Sequence, residues 1–199
     1  MYQRSQAQSK KNSKFQISSK LLKSSGNKEL TVILDLDNTL ISSFDLQQSP
    51  NICDFLFTLP NGDQMSKIGV IKRPDVDLFL MTLSKFATIY LFTAATKEYA
   101  SEIIRQIDPI GIYFTKVFTR EHCTKENEKK LKKNYSICGT NMSRTLIVDD
   151  IPENFKDYSC NGIPIKPFRG AVNDDGLSQV FQQIIYLSGF SDVRRGFRI

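Results

Sequence analysis

The stretch Leu30-Thr31-Val32-Ile33-Leu34-Asp35-Leu36-Asp37-Asn38-Thr39-Leu40 decides how the rest of the chain is read. Its first five residues are apolar or β-branched with almost no polar break, the pattern of a strand buried on both faces. Three later runs, at residues 88–93, 145–149 and 162–165, have the same character. Helical patterns separate them. Pro74 suits the first turn of a helix, and Val76, Phe79, Leu80 and Leu83 then recur at helical spacing. Residues 96–107 repeat the pattern through Tyr99, Ala100, Ile103, Ile104 and Ile107, and stop before Pro109. A third helix is expected from about 175 to 188, through Leu177, Val180, Phe181, Ile184 and Ile185. Strands alternating with helices predict an α/β fold with a Rossmann-like parallel sheet covered on both faces.

One insertion interrupts the alternation. Residues 53–59 and 65–71 flank Pro60-Asn61-Gly62-Asp63, a turn signal with Asn-Gly at its centre, so a small β-hairpin is expected beside the carboxyl edge of the sheet. Nothing in the sequence provides a large cap.

The chain has 199 residues, 40% of them hydrophobic, which suits one domain with one core. Its formal charge of +6 is unevenly placed: residues 1–28 carry seven Lys or Arg and no acid, leaving residues 29–199 with one acid more than bases. The expected division is a disordered basic tail over 1–27, a single domain over 28–190 and a C-terminal tail over 191–199. Within the basic tail, Phe15, Ile17, Leu21 and Leu22 give only a short apolar touch. No stretch approaches the roughly 20 apolar residues of a membrane span, and no secretory leader is visible, so a soluble intracellular protein without a membrane partner is expected. Nucleic acid is not an expected partner outside contacts of the tail. Cys53, Cys123, Cys138 and Cys160 are irregularly spaced and read as reduced thiols, mostly packed in the core.

In an open parallel sheet, ligands bind beyond the carboxyl ends of the strands. The residues found there are Asp35, Thr93, and Asp149 with Asp150. Carboxylates about 4 Å apart at an effective dielectric of about 20 repel by about 4 kcal/mol. A hard divalent cation removes that penalty, and an all-oxygen donor set favours Mg²⁺. Asp35 can then serve as both metal ligand and nucleophile, and Asp37, two residues on, can protonate a leaving alkoxide and later deprotonate water. Asn38 and Thr39 lie on the following turn, where backbone N–H groups can form a nest for phosphate oxygens.

With these residues in place the sequence resembles the haloacid-dehalogenase phosphatases, whose first motif is DxDxT. Within them it resembles the small phosphatases of the RNA polymerase II C-terminal domain and their Dullard-like, NLI-interacting-factor-like relatives. The resemblance spans roughly residues 29–188 and rests on four segments in order: DLDNTLISS from Asp35, KRPDVDLFL at 72–80, LFTAATKEYA at 91–100 and IVDDIP at 147–152. It implies that Asp35 is the nucleophile, Asp37 the general acid/base and Thr93 the hydroxyl that binds the transferring phosphoryl group. It also implies Mg²⁺ held by Asp35, the backbone carbonyl of Asp37 and Asp150, with Asp149 ligating or orienting. A lysine completes the pattern sixteen residues before Asp149, at Lys133; counting forward from Arg120, which resembles the family's Arg-Glu-x-Cys segment, lands instead on Lys132. Arg120 either contacts substrate or sits in a surface ion pair. Arg73 reads as structural, and His122 as a solvated or loosely bonded imidazole.

The resemblance implies a Mg²⁺-dependent protein serine/threonine phosphatase working through an aspartyl-phosphate, with phosphoserine or phosphothreonine protein as partner and the polymerase C-terminal domain as one candidate substrate. Two alternatives stand beside it: a small-molecule phosphatase of the same superfamily, and a non-catalytic binding protein resembling translocase subunits of the inner mitochondrial membrane. A monomer is the expected state. Nuclear or cytoplasmic placement follows, with the nucleus slightly favoured by the tail and the resemblance.

Overall fold

The computed structural model describes residues 15–17, 29–46, 52–125 and 131–197. Five parallel strands form the main sheet in the order β10-β9-β1-β5-β6: β1 (Leu30–Leu34), β5 (Ala87–Phe92), β6 (Phe114–Phe118), β9 (Thr145–Asp149) and β10 (Gly162–Pro164). β1 is the central strand because both its faces are apolar. Val32 and Leu34 enter one core cluster while Ile33 enters the other, where it meets Phe92, Ile147 and Phe155. At about 1.5–3 kcal/mol for each large apolar side chain buried, this alternation holds the strand between two layers.

Among the described residues the α-helices are α1 (Val76–Leu83), α2 (Lys97–Ile107) and α3 (Gly176–Ser188), close to the expected spans. α1 packs against α3, and their Val76, Phe79, Leu80, Val180, Phe181 and Ile184 join the core cluster of β1. Pro74 lies one residue before the α1 cap, Asp75, which takes a left-handed φ of 66°; the turn is closed by Val76 N–H donating to the Arg73 carbonyl. Thr96 caps α2 by accepting from the Tyr99 backbone N–H.

The insertion is larger than a hairpin. β3 (Phe55–Asn61) and β4 (Gln64–Lys72) do form one, and β2 (Ile41–Asp45) pairs with the far edge of β4 to give a three-stranded antiparallel sheet, order β2-β4-β3. Pro60 and Asn61 are strand residues, so the loop is only Gly62-Asp63, with Gly62 at φ 61°. β2 escaped the sequence reading because Ile41-Ser-Ser-Phe-Asp45 lacks a clear apolar alternation. β6 was also unforeseen; it is an edge strand whose Thr115, Lys116 and Val117 are exposed. A short ribbon, β7 (Cys123–Lys125) with β8 (Leu131–Lys133), completes the sheets.

Two of the expected boundaries need correcting. Phe15, assigned to the basic tail, is buried edge-on against Phe79 and Phe181, with ring centroids 6.1 and 5.0 Å away, and Ile17 packs beside it. Its aromatic area fills a groove between α1 and α3 that composition alone does not reveal. The rest of that expected tail, Leu21 and Leu22 included, lies outside the described residues, as do residues 126–130. The C-terminal boundary at 190 is likewise too early: residues 193–197 form a 3₁₀ turn with Val193 fully buried and Phe197 packed on the core. All four cysteines are free thiols, but only Cys138 is buried; the others are half-buried. Among the described residues, no helix is long and apolar enough to cross a membrane.

Candidate active site

The chain order places β5 and β6 on one side of β1 and β9 and β10 on the other, so the strand order reverses beside β1. The cleft opens there, at the carboxyl ends of the strands. Asp35 follows β1 and is anchored by its N–H donating to the Val148 carbonyl; Thr93 follows β5 and donates its N–H to Phe118; Asp149 ends β9. A cavity of about 550 Å³ is lined by Asp35, Asp37, Asn38, Thr93, Lys133 and Asp150, with Leu59 and Pro60 of the insertion and Ala94, Ala95, Tyr99 and Arg120 on its walls.

The charged centre is compact. Lys133 is buried, and its Nζ donates to Asp35 Oδ1 at 2.5 Å and to Asp149 Oδ2 at 2.6 Å. The neighbouring lysine turns the other way: Lys132 Nζ meets the exposed Asp157 at 2.5 Å. Successive side chains of a strand point to opposite faces, so the register of β8 decides which lysine enters the site. Asp149 accepts several further bonds, at Oδ1 from the Ile151 backbone and Asn154 Nδ2 (both 2.9 Å), and at Oδ2 from Asn154 Nδ2 at 3.0 Å. Asp150 is half-buried beside it.

Burial pushes the Asp35 carboxyl up to about 7; Lys133 pulls it down and Asp149 pushes it up further. Burial works against the Lys133 ammonium, but Asp35 and Asp149 outweigh it and raise its pKa. Asp150 is raised by burial and by the charge of Asp149. Asp37 is raised by burial, against a hydrogen bond from Tyr99 that lowers it. One ammonium therefore serves a cluster of carboxylates that are reluctant to ionise together.

Carboxylate oxygens of Asp35, Asp149 and Asp150 lie within 4.8 Å of one another, an all-oxygen donor set that fits a hard divalent cation. Asp149 has its oxygens engaged by Lys133, Asn154 and the Ile151 backbone, which suits it to orienting the group, while Asp35 and Asp150 face the cleft.

Thr93 is buried, and its Oγ1 accepts from the Ala95 N–H, which leaves the hydroxyl proton for another acceptor. Arg120 lies on the cleft wall with its Nε held by the Ala94 carbonyl at 2.8 Å, and it forms no ion pair among the described residues. Two expectations fail. The backbone N–H groups of Asn38 and Thr39 do not form an open nest; they donate inside the turn, to the carbonyls of Ile41 and Leu36. The Thr39 side chain is fully buried and does not reach the cleft. Asn38 does line the cleft, at φ 59°, and its Oδ1 accepts from Arg169 Nη1 at 2.8 Å. The aromatics of the insertion are packing residues: Phe57 meets Tyr99 edge-on, and Phe44 covers Gly69. His122 Nδ1 accepts from the Thr119 N–H, as part of a local cap.

Three residues went unnoticed in the sequence. Tyr99 has the spacing of a core position on α2, yet its hydroxyl lies 2.5 Å from Asp37 Oδ1 and 2.7 Å from Ser43 Oγ. Asn154 and Arg169 sit in polar loops, where no local pattern marks them.

A family model described as NLI interacting factor-like phosphatase matches residues 30–194. The chain belongs to this family. Among curated relatives, the CTD nuclear envelope phosphatase 1 of Xenopus tropicalis is 30% identical over 173 residues, covering 84% of this chain and 70% of that protein. Nuclear envelope morphology protein 1 of Schizosaccharomyces pombe is 30% identical over 164 residues, 82% of this chain but 34% of that protein. The chain thus spans about a third of that relative's length. Human carboxy-terminal domain RNA polymerase II polypeptide A small phosphatase 1 is 28% identical over 172 residues, 86% of this chain and 64% of that one. The fission yeast RNA polymerase II CTD phosphatase Fcp1, solved bound to beryllium fluoride, shares the fold: TM-score 0.59 at 21% identity, over 88% of this chain and 54% of that one.

Proposed function

We propose that this chain is a Mg²⁺-dependent phosphatase that removes phosphate from phosphoserine and phosphothreonine in proteins, through an aspartyl-phosphate on Asp35. The observation that carries the reading is the Lys133 ammonium 2.5 Å from Asp35 Oδ1, with Asp150 beside them at the mouth of an open cleft. Asp35 and Asp150 would hold the metal, with the Asp37 carbonyl, and Asp149 would orient them. A bound Mg²⁺ would offset the repulsion between Asp35 and an incoming phosphate dianion.

Asp35 attacks phosphorus and the serine or threonine oxygen departs, taking a proton from Asp37. Asp37, now ionised, accepts a proton from water as that water attacks the aspartyl-phosphate, releasing inorganic phosphate and regenerating Asp35. Lys133 offsets charge gathering on the transferring group, and the Thr93 hydroxyl donates to one of its oxygens. The open entrance supports a protein substrate: among the described residues, the insertion reaches it only through the small sheet bearing Leu59 and Pro60, so an extended segment can reach Asp35. The names of relatives make the phosphorylated C-terminal domain of RNA polymerase II the first substrate to test and the nucleus or nuclear envelope the first location to examine.

The decisive experiment measures phosphate release from phosphoserine, phosphothreonine and phosphotyrosine peptides and from sugar phosphates, with Mg²⁺ and with chelator. Chelator-sensitive release from the serine and threonine peptides is expected. Preference for sugar phosphates would shift the reading to a metabolite phosphatase, and no release from any substrate would leave a binding protein.

A further inference from the structure

We infer that Tyr99 is the positioning residue for Asp37, acting with Ser43 as a hydroxyl relay that fixes which oxygen of Asp37 faces the leaving group. This rests on the phosphatase reading above. Three elements converge to make the contact: Asp37 on the turn after β1, Ser43 on β2 and Tyr99 in the first turn of α2. The phenol is held from three sides. Its backbone is pinned by the Thr96 cap, its ring meets Phe57 edge-on at 5.7 Å, and its oxygen lies 2.5 Å from Asp37 Oδ1 and 2.7 Å from Ser43 Oγ.

Proton counting orders the relay. A phenol has one proton and an ionised carboxylate has none, so Tyr99 donates to Asp37 Oδ1, while the Ser43 hydroxyl, which lies against both groups, has its proton to give to the phenol oxygen or to the carboxylate. With Oδ1 occupied as an acceptor, a proton carried by Asp37 sits on Oδ2, where it can be given to a departing oxygen in the cleft. Lys133 supplies the competing pull, since its charge acts on Asp37 as well as on Asp35 and Asp149. Without the Tyr99 bond only Ser43 holds the carboxylate against that pull, and it can turn toward the ammonium and away from the leaving group. A proton donor misplaced in this way slows departure of poor leaving groups most, because a good one leaves unassisted.

The test uses kcat/KM for a series of substituted phenyl phosphates, from 4-nitrophenyl phosphate to unsubstituted phenyl phosphate, in wild type and Tyr99→Phe. These substrates carry no peptide, so a lost peptide contact cannot imitate the effect. The expected loss grows with the basicity of the leaving group, from about twofold for the nitrophenyl ester to about twentyfold for the phenyl ester, part of the 10²–10⁴ range of general acid catalysis. Ser43→Ala should tilt the same plot in the same direction by less, and it carries the test if Tyr99→Phe melts early. A uniform loss across the series, or none, in a wild-type background that is active overturns the inference alone. Wild type that releases nothing from any ester in Mg²⁺ overturns the phosphatase reading and this inference with it.

Discussion

The Nζ of Lys133 bridges Asp35 Oδ1 and Asp149 Oδ2 at 2.5 and 2.6 Å, tying the ribbon strand β8 to the ends of β1 and β9 in one buried contact. Removing the ammonium leaves two buried carboxylates facing each other. Lys133→Ala should therefore cost about 3–5 kcal/mol of stability in urea unfolding without metal, the usual scale for a broken buried pair. It should also lower phosphate release at least about 10²-fold. Lys132→Ala, which removes an exposed pair with Asp157, should change stability by less than about 1 kcal/mol.

Asp35→Asn should abolish turnover while the protein stays folded, because the amide keeps the size of the side chain and removes one of the carboxylates crowded around Lys133. Circular dichroism with a phosphate-release assay on the same preparation checks both halves. Retained turnover would remove Asp35 from the role of nucleophile.

The raised carboxyl of Asp35 predicts an unusual pH dependence for the metal-free protein. Its value moves from 3.8 to about 7 on folding, chiefly through burial, so the folded state keeps a proton that the unfolded chain has released. That contribution is fully present below about 3.8 and is lost as pH rises through about 7. Thermal melting in chelator should therefore fall across this window, and saturating Mg²⁺ should flatten or reverse the trend, since metal binds the ionised form. Parallel curves with and without Mg²⁺ would contradict the placement of the metal at Asp35.

Arg73 anchors the turn that carries Asp37. Its guanidinium is buried, bonds both oxygens of Asp174 at 2.6 and 2.9 Å, and donates to the carbonyls of Thr39 and Lys166. Arg73→Lys cannot reproduce that fork and should lower stability by about 2–4 kcal/mol. Gly176→Ala should also destabilise, because a Cβ there would meet the same guanidinium. Urea unfolding of both variants provides the check.

Phe15 is the anchor of the described N-terminal segment. Phe15→Ala should cost about 3–5 kcal/mol if the groove between α1 and α3 stays open, and less if Phe79 and Phe181 close over it.

The amino-acid sequence by itself determined the elements whose signal is local. The apolar runs of β1, β5, β9 and β10 and the periodic faces of α1, α2 and α3 follow from burial on two faces or on one, and each can be read within about ten residues. Asp35, Thr93, Asp149 and Asp150 were legible for the same reason, since they close those runs. Tertiary structure alone decided the rest, where the partner is remote in the chain. Tyr99 reaches Asp37 across 62 positions, Arg169 reaches Asn38 across 131, and Phe15 finds its groove only once α1 and α3 have packed. The choice between Lys132 and Lys133 is the sharpest case. Two identical side chains stand next to each other, and only the pairing register of β7 with β8 sends Lys133 inward and Lys132 out, because alternate residues of a strand face opposite ways.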